Sequence, residues 1–468
     1  MSLKLTFLGA TQNVTGSRFL LDSNGTRILI DCGLYQEREL KIRNWEKFPV
    51  PPSSLDAILL THAHLDHSGF IPKLVKDGFS GKIYCTPATE ELTKIILLDS
   101  AAIQVEDAAF KKKRHEKEKR KVKFPEIPLY DVYDAQKSFP LFSTVEYETP
   151  FQIAQGLHVS FHDAGHILGA SIIRIVVNDG KRQKILLFSG DLGRWNKPLL
   201  RDPVLFEEAD YVVVESTYGD RLHDDETGTR DALAEAINWT YKAGGNIVIP
   251  SFALERAQEV LYQLNCIRIE KRIPRLTTFV DSPMGVSITE VFKKYQHLFD
   301  EETKNLIMRG KSPFSFDGLF LVSTADQSKA IKGIIGTVII IAGSGMCTGG
   351  RIKHHLINNI SRENSAILFV GYQAKGTLGR IIVDGAKEVR IHGEIRKINA
   401  KIIKINGFSG HADKNELFRW LSNLKKPPKQ VFIVHGETDS AVSFAQFLTD
   451  NKGWKATVPE YADEFTLD

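Results

Sequence analysis

The stretch "LTHAHLDHSG" (60–69) sets His62, His64, Asp66 and His67 within six positions, directly after the apolar run "LDAILL". Three imidazoles and a carboxylate packed this closely compete for the same donors and acceptors, and a metal ion resolves that competition. An extended turn throws His62 and His64 to one side, whereas Asp66 and His67 fall at the start of a helix and point to a neighbouring spot. This geometry suits two adjacent metals better than one.

Further polar residues stand at the ends of apolar runs, where α/β folds commonly place their sites. Asp31 ends "RILID", His166 follows "HDAG", Asp191 follows "LLFSG", Glu215 ends "YVVVE", His411 lies in "FSGHAD" and His435 follows "VFIV". Each alone reads as a turn-maker, a helix cap or a satisfied histidine. Together with the opening motif they read as one site. The glycine-rich "GSGMCTGGR" (343–351) follows a strand and precedes a helix, so its amides with Ser344 and Arg351 could hold a backbone phosphate. It lacks the spacing of a nucleotide-binding P-loop.

Positioning these residues takes at least two kinds of architecture. The first two hundred residues read as short strands, among them "KLTFLG", "RFLLDS", "TRILIDCG" and "KILLFSGD", which imply mostly antiparallel sheets faced by helices. Turn signals at "DSNGT" (22–26) and "VVNDGKR" (176–182) predict two hairpins. Beyond residue 210 strand and helix alternate, as a parallel, doubly wound unit requires. The last seventy or so residues return to the earlier style, with "KINAKIIKING" as their first strand.

At 468 residues the chain calls for two or three domains. Hydrophobic residues at 42% and charged residues at 25% exclude disordered and collagen-like classes. No run reaches membrane-spanning length and the N-terminus lacks the pattern of a secretory signal, so a cytoplasmic location is expected. Cys32, Cys85, Cys266 and Cys347 lie far apart, which argues against a disulfide framework or a cysteine zinc site. A net charge of +4 permits a nucleic-acid partner without demanding one. One segment, "FKKKRHEKEKRKVKF" (110–124), carries nine Lys or Arg against two Glu. It reads either as the solvated end of a long helix beginning near Thr89 or as an arm that meets phosphates.

"THAHLDHSG", "DAGHILGA", "FSGDLG", "ESTYGD", "GFSGHAD" and "VHGE", in this order, resemble the β-CASP branch of the metallo-β-lactamase superfamily along essentially the whole chain. "IPSFALERAQEVL", "DSPMG" and "GSGMCTGGRIKHHL" are similar to its RNA-processing group, which includes the endonuclease subunit of the cleavage and polyadenylation specificity factor and its prokaryotic relatives. The resemblance implies an α/β fold, an αββα metallo-β-lactamase sandwich with an inserted doubly wound α/β (β-CASP) domain. Residues 1–210 and 391–468 would form the sandwich and 211–390 the insert.

The same resemblance implies two zinc ions, one held by His62, His64 and His166, the other by Asp66, His67 and His435, with Asp191 bridging. Asp31 would orient a ligand imidazole. Asp66, Glu215 and His411 would be the catalytic residues, His411 held protonated by Glu215 to serve the leaving oxygen. Arg256 and Lys375 enter as substrate-binding residues by analogy alone.

The expected partner is RNA, with no membrane, and a homodimer is left open. The expected activity is cleavage of RNA to 5′-phosphate and 3′-hydroxyl ends, by endonuclease or 5′-exonuclease action. Two alternatives stand beside it. A hydrolase of a small lactam, thioester or phosphodiester would need no second domain to clamp its substrate. An inactive RNA-binding scaffold would be expected to have lost ligands that this chain keeps. No separate RNA-binding module is expected ahead of the first core strand, so targeting to a particular RNA sequence is not implied.

Overall fold

The computed structural model describes residues 3–118, 125–178, 180, 183–223, 228–374, 376–405 and 407–468. They divide into two compact units. The first comprises Met1–Asn196, Asp202–Leu222 and His411–Asp468, and the second Lys197–Arg201 and His223–Gly410.

Strand alternation builds the first unit. Ile28 and Ile30 of strand Thr26–Ile30 point into a core shared with Phe161, Ile173, Phe188, Val213 and Phe432. Leu29 between them faces the opposite way, toward Phe70, Ile71 and Leu74 of the helical layer. Two seven-stranded sheets therefore face each other across one core, with helices outside. The predicted hairpin at 22–26 is present: Phe19–Ser23 pairs with Thr26–Ile30, and Asn24 and Gly25 both take positive φ (51° and 90°), as its two-residue turn requires. Strands Ser171–Asn178 and Gln183–Phe188 also pair antiparallel, although residues 179, 181 and 182 of that turn lie outside the described residues.

Antiparallel pairing prevails in the first two hundred residues, as expected, in five of the eight pairings between their strands, but parallel pairing takes a large share of the unit. Thr26–Ile30, Ala57–Leu59, Lys82–Cys85 and Phe142–Thr144 run parallel, as do Gln183–Phe188, Tyr211–Glu215 and Gln430–Val434. Helical crossovers such as Pro87–Glu118 make that direction possible, and a strand's own sequence does not disclose it.

The second unit holds a six-stranded parallel sheet in the order Leu319–Val322, Thr277–Asp281, Val338–Ala342, Ile247–Pro250, Ala366–Val370, Lys401–Ile405. "VIIIA" and "AILFV" are buried throughout, as central strands covered on both faces must be. Both limits differ from the 211–390 expected. Tyr211–Glu215 pairs within the first unit, whereas Lys401–Ile405 pairs with Ala366–Val370 in the second. The short crossing Lys197–Arg201 also belongs to the second unit, where Leu200 bridges Phe299. No helix of the described residues is long and apolar enough to cross a membrane. The four cysteines are buried and unpaired.

Candidate metal centre

The chain leaves strand Ala57–Leu59 and turns at once, because Asp31 Oδ1 accepts from Thr61 N at 2.8 Å. His62 and His64 follow on the extended turn, and helix Leu65–Ser68 starts immediately after, placing Asp66 and His67 in its single turn. Gly33 makes room for this turn: a Cβ there would lie 1.6 Å from Asp66 O. The Gly33 loop is in turn held by buried Arg18, whose Nε and Nη2 donate to Gly33 O at 2.9 and 2.7 Å. Other strand ends of the same unit bring His166, Asp191, Glu215 and His435 to the same place.

Two donor sets result. His62 Nε2 lies 3.0 Å from His64 Nδ1 and 3.4 Å from Asp191 Oδ2, while His166 Nε2 lies 3.3 Å from His64 Nδ1 and 3.6 Å from Asp191 Oδ2. In the other set, His67 Nε2 is 3.1 Å from His435 Nε2 and 3.2 Å from Asp191 Oδ1, and His435 Nε2 is 3.5 Å from Asp66 Oδ2. Four ligands at about 2.0–2.1 Å around a tetrahedral ion are separated from one another by about 3.3 Å. Both sets have that spacing. Asp191 faces one set with each oxygen, and its buried Oδ1 makes no hydrogen bond among the described residues.

Protonation fits the same use. Burial pushes His62 well below the usual imidazole range and His64 down to about 4, leaving neutral rings with lone pairs to give. Burial also acts to lower His67, but Asp191 and Asp31 outweigh it and hold the ring protonated. A cation taking Nε2 of His67 therefore displaces a proton.

Asp31, at φ 58°, accepts from His67 Nδ1 at 2.7 Å and so turns Nε2 of that ring inward. Thr61, which sequence reasoning overlooked, does the same for His62. Its hydroxyl spends its one proton on Asp31, at 2.8 Å to Oδ2, and so must accept from His62 Nδ1 at 3.0 Å. The only sequence signal was its place directly before the first histidine. Thr61→Val keeps the shape and removes that acceptor, so metal affinity should fall about 10–100-fold, with Thr61→Ser largely restoring it. A competition titration with a chromophoric chelator reads this, and wild-type affinity in Thr61→Val would refute the role.

Beside the donor sets, buried Glu215 holds His411 Nδ1 at 3.0 and 3.2 Å from its two oxygens, and the His411 ring centroid is 4.5 Å from that of His166. Burial lowers the His411 pKa, but the Glu215 carboxylate more than compensates and the ring is raised to about 9. Glu215 is itself fixed by Leu192 N at 2.7 Å and Thr217 N at 3.2 Å. Thr217 Oγ1 also contacts His435 Nδ1 at 3.2 Å, a link not read from the sequence.

The remaining candidates lie in the second unit. Ser344 Oγ accepts from Thr348 N at 3.1 Å and Gly349 N at 3.3 Å, closing its own loop. Arg351 is turned inward, donating to buried Asp281 at 2.7 Å and to the carbonyls of Val322 and Ser323 at 3.2 and 2.6 Å, which supports a bracing role in place of the expected phosphate contact. Arg256 pairs with Glu259 at 3.1 Å, and its guanidinium carbon lies 5.7 Å from the centre of the Phe408 ring. Lys375 lies outside the described residues.

Known protein families match along the chain in the order the fold requires. Residues 20–194 match a metallo-beta-lactamase superfamily domain, 257–382 the Beta-Casp domain, and 395–459 a Zn-dependent metallo-hydrolase RNA specificity domain. Ribonuclease TTHA0252 of Thermus thermophilus is 36% identical over 446 residues, covering 95% of this chain and 96% of that one. Transcription termination factor FttA of Methanosarcina mazei is 31% identical over 455 residues, covering 95% of this chain and 68% of the other. A crystal structure of a protein of unknown function from Enterococcus faecalis V583 shares the fold across the full length of both chains, with a TM-score of 0.57 at 11% identity. Fold and donor sets together define a metal-dependent hydrolase. The chain belongs to the β-CASP branch of the metallo-β-lactamase superfamily.

Proposed function

We propose that the protein is a zinc-dependent ribonuclease that hydrolyses RNA phosphodiesters to 5′-phosphate and 3′-hydroxyl ends in RNA processing or decay. The observation that carries this reading is Asp191, whose two oxygens face two separate donor sets next to the Glu215–His411 pair. RNA as substrate is supported by the names of the relatives and by the RNA specificity domain matched at 395–459, the stretch that includes His411.

His62, His64 and His166 would hold one zinc and Asp66, His67 and His435 the other, with Asp191, whose oxygens face His62 and His67, shared. Such a pair of ions supplies an activated water and offsets the charge that gathers on the phosphate oxygens. The chain's own residues supply the rest. Asp31 and Thr61 hold the imidazoles in the productive tautomer. As the bond from water oxygen to phosphorus forms, the bond to the 3′ oxygen breaks, and that oxygen takes the proton of His411 Nε2. Glu215, bonded to Nδ1, steadies the imidazolium until then.

Uniformly labelled RNA tests the reading when offered with a 5′-triphosphate, with a 5′-monophosphate, or as a closed circle. Cleavage of the circle shows endonuclease action, and dependence on the 5′-monophosphate shows 5′-exonuclease action. Intact RNA in all three forms, with hydrolysis of a small phosphodiester or thioester, would assign the site to a small substrate.

A further inference from the structure

The long helix Pro87–Glu118 changes character near its end. At its start it is tied to the loop that carries His166, since Thr86 Oγ1 and Thr89 Oγ1 each donate to Gly169 O at 2.8 Å. Farther along, Leu97 and Ala101 are buried against Tyr130 and Ala135, and Gln104 Oε1 accepts from Leu129 N at 3.1 Å. Ala108 is the last buried position. Ala109, Phe110, Lys111, Lys112 and Lys113 are all exposed. At about 100° per residue, five successive positions point in every direction around the axis, so the helix stands clear of the first unit there.

A turn without packing gains little stability of its own, and the exposed pair of Lys111 with Asp107 at 3.8 Å adds almost nothing. Yet this turn presents Phe110 with 67% of its surface exposed, and Ile103, two turns earlier on the same stripe, with 52%. Three exposed lysines follow Phe110 around the helix. A flat protein partner would meet one side of such a helix. A flexible polyanion can reach the lysines on all sides and offer a base to the ring.

We propose that the turn 109–113 is a binding arm for single-stranded RNA, with Phe110 stacking on a base and Lys111, Lys112 and Lys113 meeting phosphates. The inference rests on the ribonuclease reading above. From Pro87 to Phe110 the helix rises about 35 Å. Only an RNA long enough to span that distance can occupy the metal centre and the arm together.

The test compares the metal-loaded full chain with Phe110→Ala and with the triple variant Lys111→Gln, Lys112→Gln, Lys113→Gln. Each is offered RNAs of about five and about thirty nucleotides, with affinity read by fluorescence anisotropy and cleavage on gels. Phe110→Ala should bind the long RNA about tenfold more weakly with its salt dependence intact. The triple variant should lower the slope of log affinity against log salt by about two, at roughly 0.7 per lost phosphate contact. Neither should change affinity for the short RNA, or kcat at saturation. Wild-type affinity and slope for the long RNA in both variants would overturn the arm, as would an equal loss for both lengths. Failure of the wild-type protein to cleave either RNA would instead overturn the ribonuclease reading, and the long-RNA isotherms would still decide the arm.

Discussion

His411→Ala should cut RNA about 10²–10⁴-fold more slowly than the wild type, with metal content normal and KM little changed. The 3′ oxygen of a nucleotide is a poor leaving group, and His411, held against Glu215 at 3.0 Å, stands beside the donor sets with its ring centroid 4.5 Å from that of His166. Replacing that oxygen by sulfur at one scissile position removes the need for a proton, so the sulfur substrate should recover much of the lost rate. Equal slowing of both substrates would show that His411 positions the phosphate and does not donate the proton.

The pH profile gives the same role an independent reading. A general acid works while protonated, so activity is present below its pKa and lost as pH rises through it. With His411 raised to about 9, the alkaline limb should fall at or below that value, because Asp191 and Asp66, which also raise it, lose that influence once they engage cations. Glu215→Gln removes the principal raising influence. Its alkaline limb should therefore move to lower pH, with a smaller rate loss than in His411→Ala.

Asp191→Ala should bring RNA cleavage to background and lower bound metal from the proposed two ions per chain to one or none. Asp191 turns one oxygen toward each donor set, Oδ2 at 3.4 Å from His62 Nε2 and Oδ1 at 3.2 Å from His67 Nε2. The fold should survive, since the core of the first unit is built from residues such as Phe7, Phe161 and Phe432, apart from the site. Elemental analysis beside far-UV circular dichroism checks both points. Two metals and full activity in the folded variant would remove Asp191 from its assigned position.

The candidate metal centre was legible because its chemistry is local. Four of its residues sit within six positions, and the others punctuate apolar runs that had to be strands, so each lay at a place a sequence can mark. The hairpin at 22–26 was legible for a similar reason, since Asn24 and Gly25 announce the turn. Strand partnership was not. "YVVVE" and "KIIKI" look alike as apolar runs, yet one lies in the first unit and the other closes the sheet of the second, and only contacts distant in sequence decide which. Arg351 shows the same limit on the scale of a side chain. Its place after a glycine-rich loop suggested a phosphate, but Asp281, seventy positions earlier, occupies its guanidinium. Thr61 and Thr217 act through hydroxyl hydrogen bonds to rings, and no spacing rule distinguishes such a threonine from any other.

If two cations held by these residues drive hydrolysis of RNA, stripping the protein of metal and returning zinc in steps should restore cleavage of labelled RNA in parallel with bound zinc, both measured on the same samples. No cleavage is expected from the stripped protein, and full recovery as bound zinc approaches two per chain. Undiminished cleavage without metal, or intact RNA at two bound zincs, would refute the role of the cations.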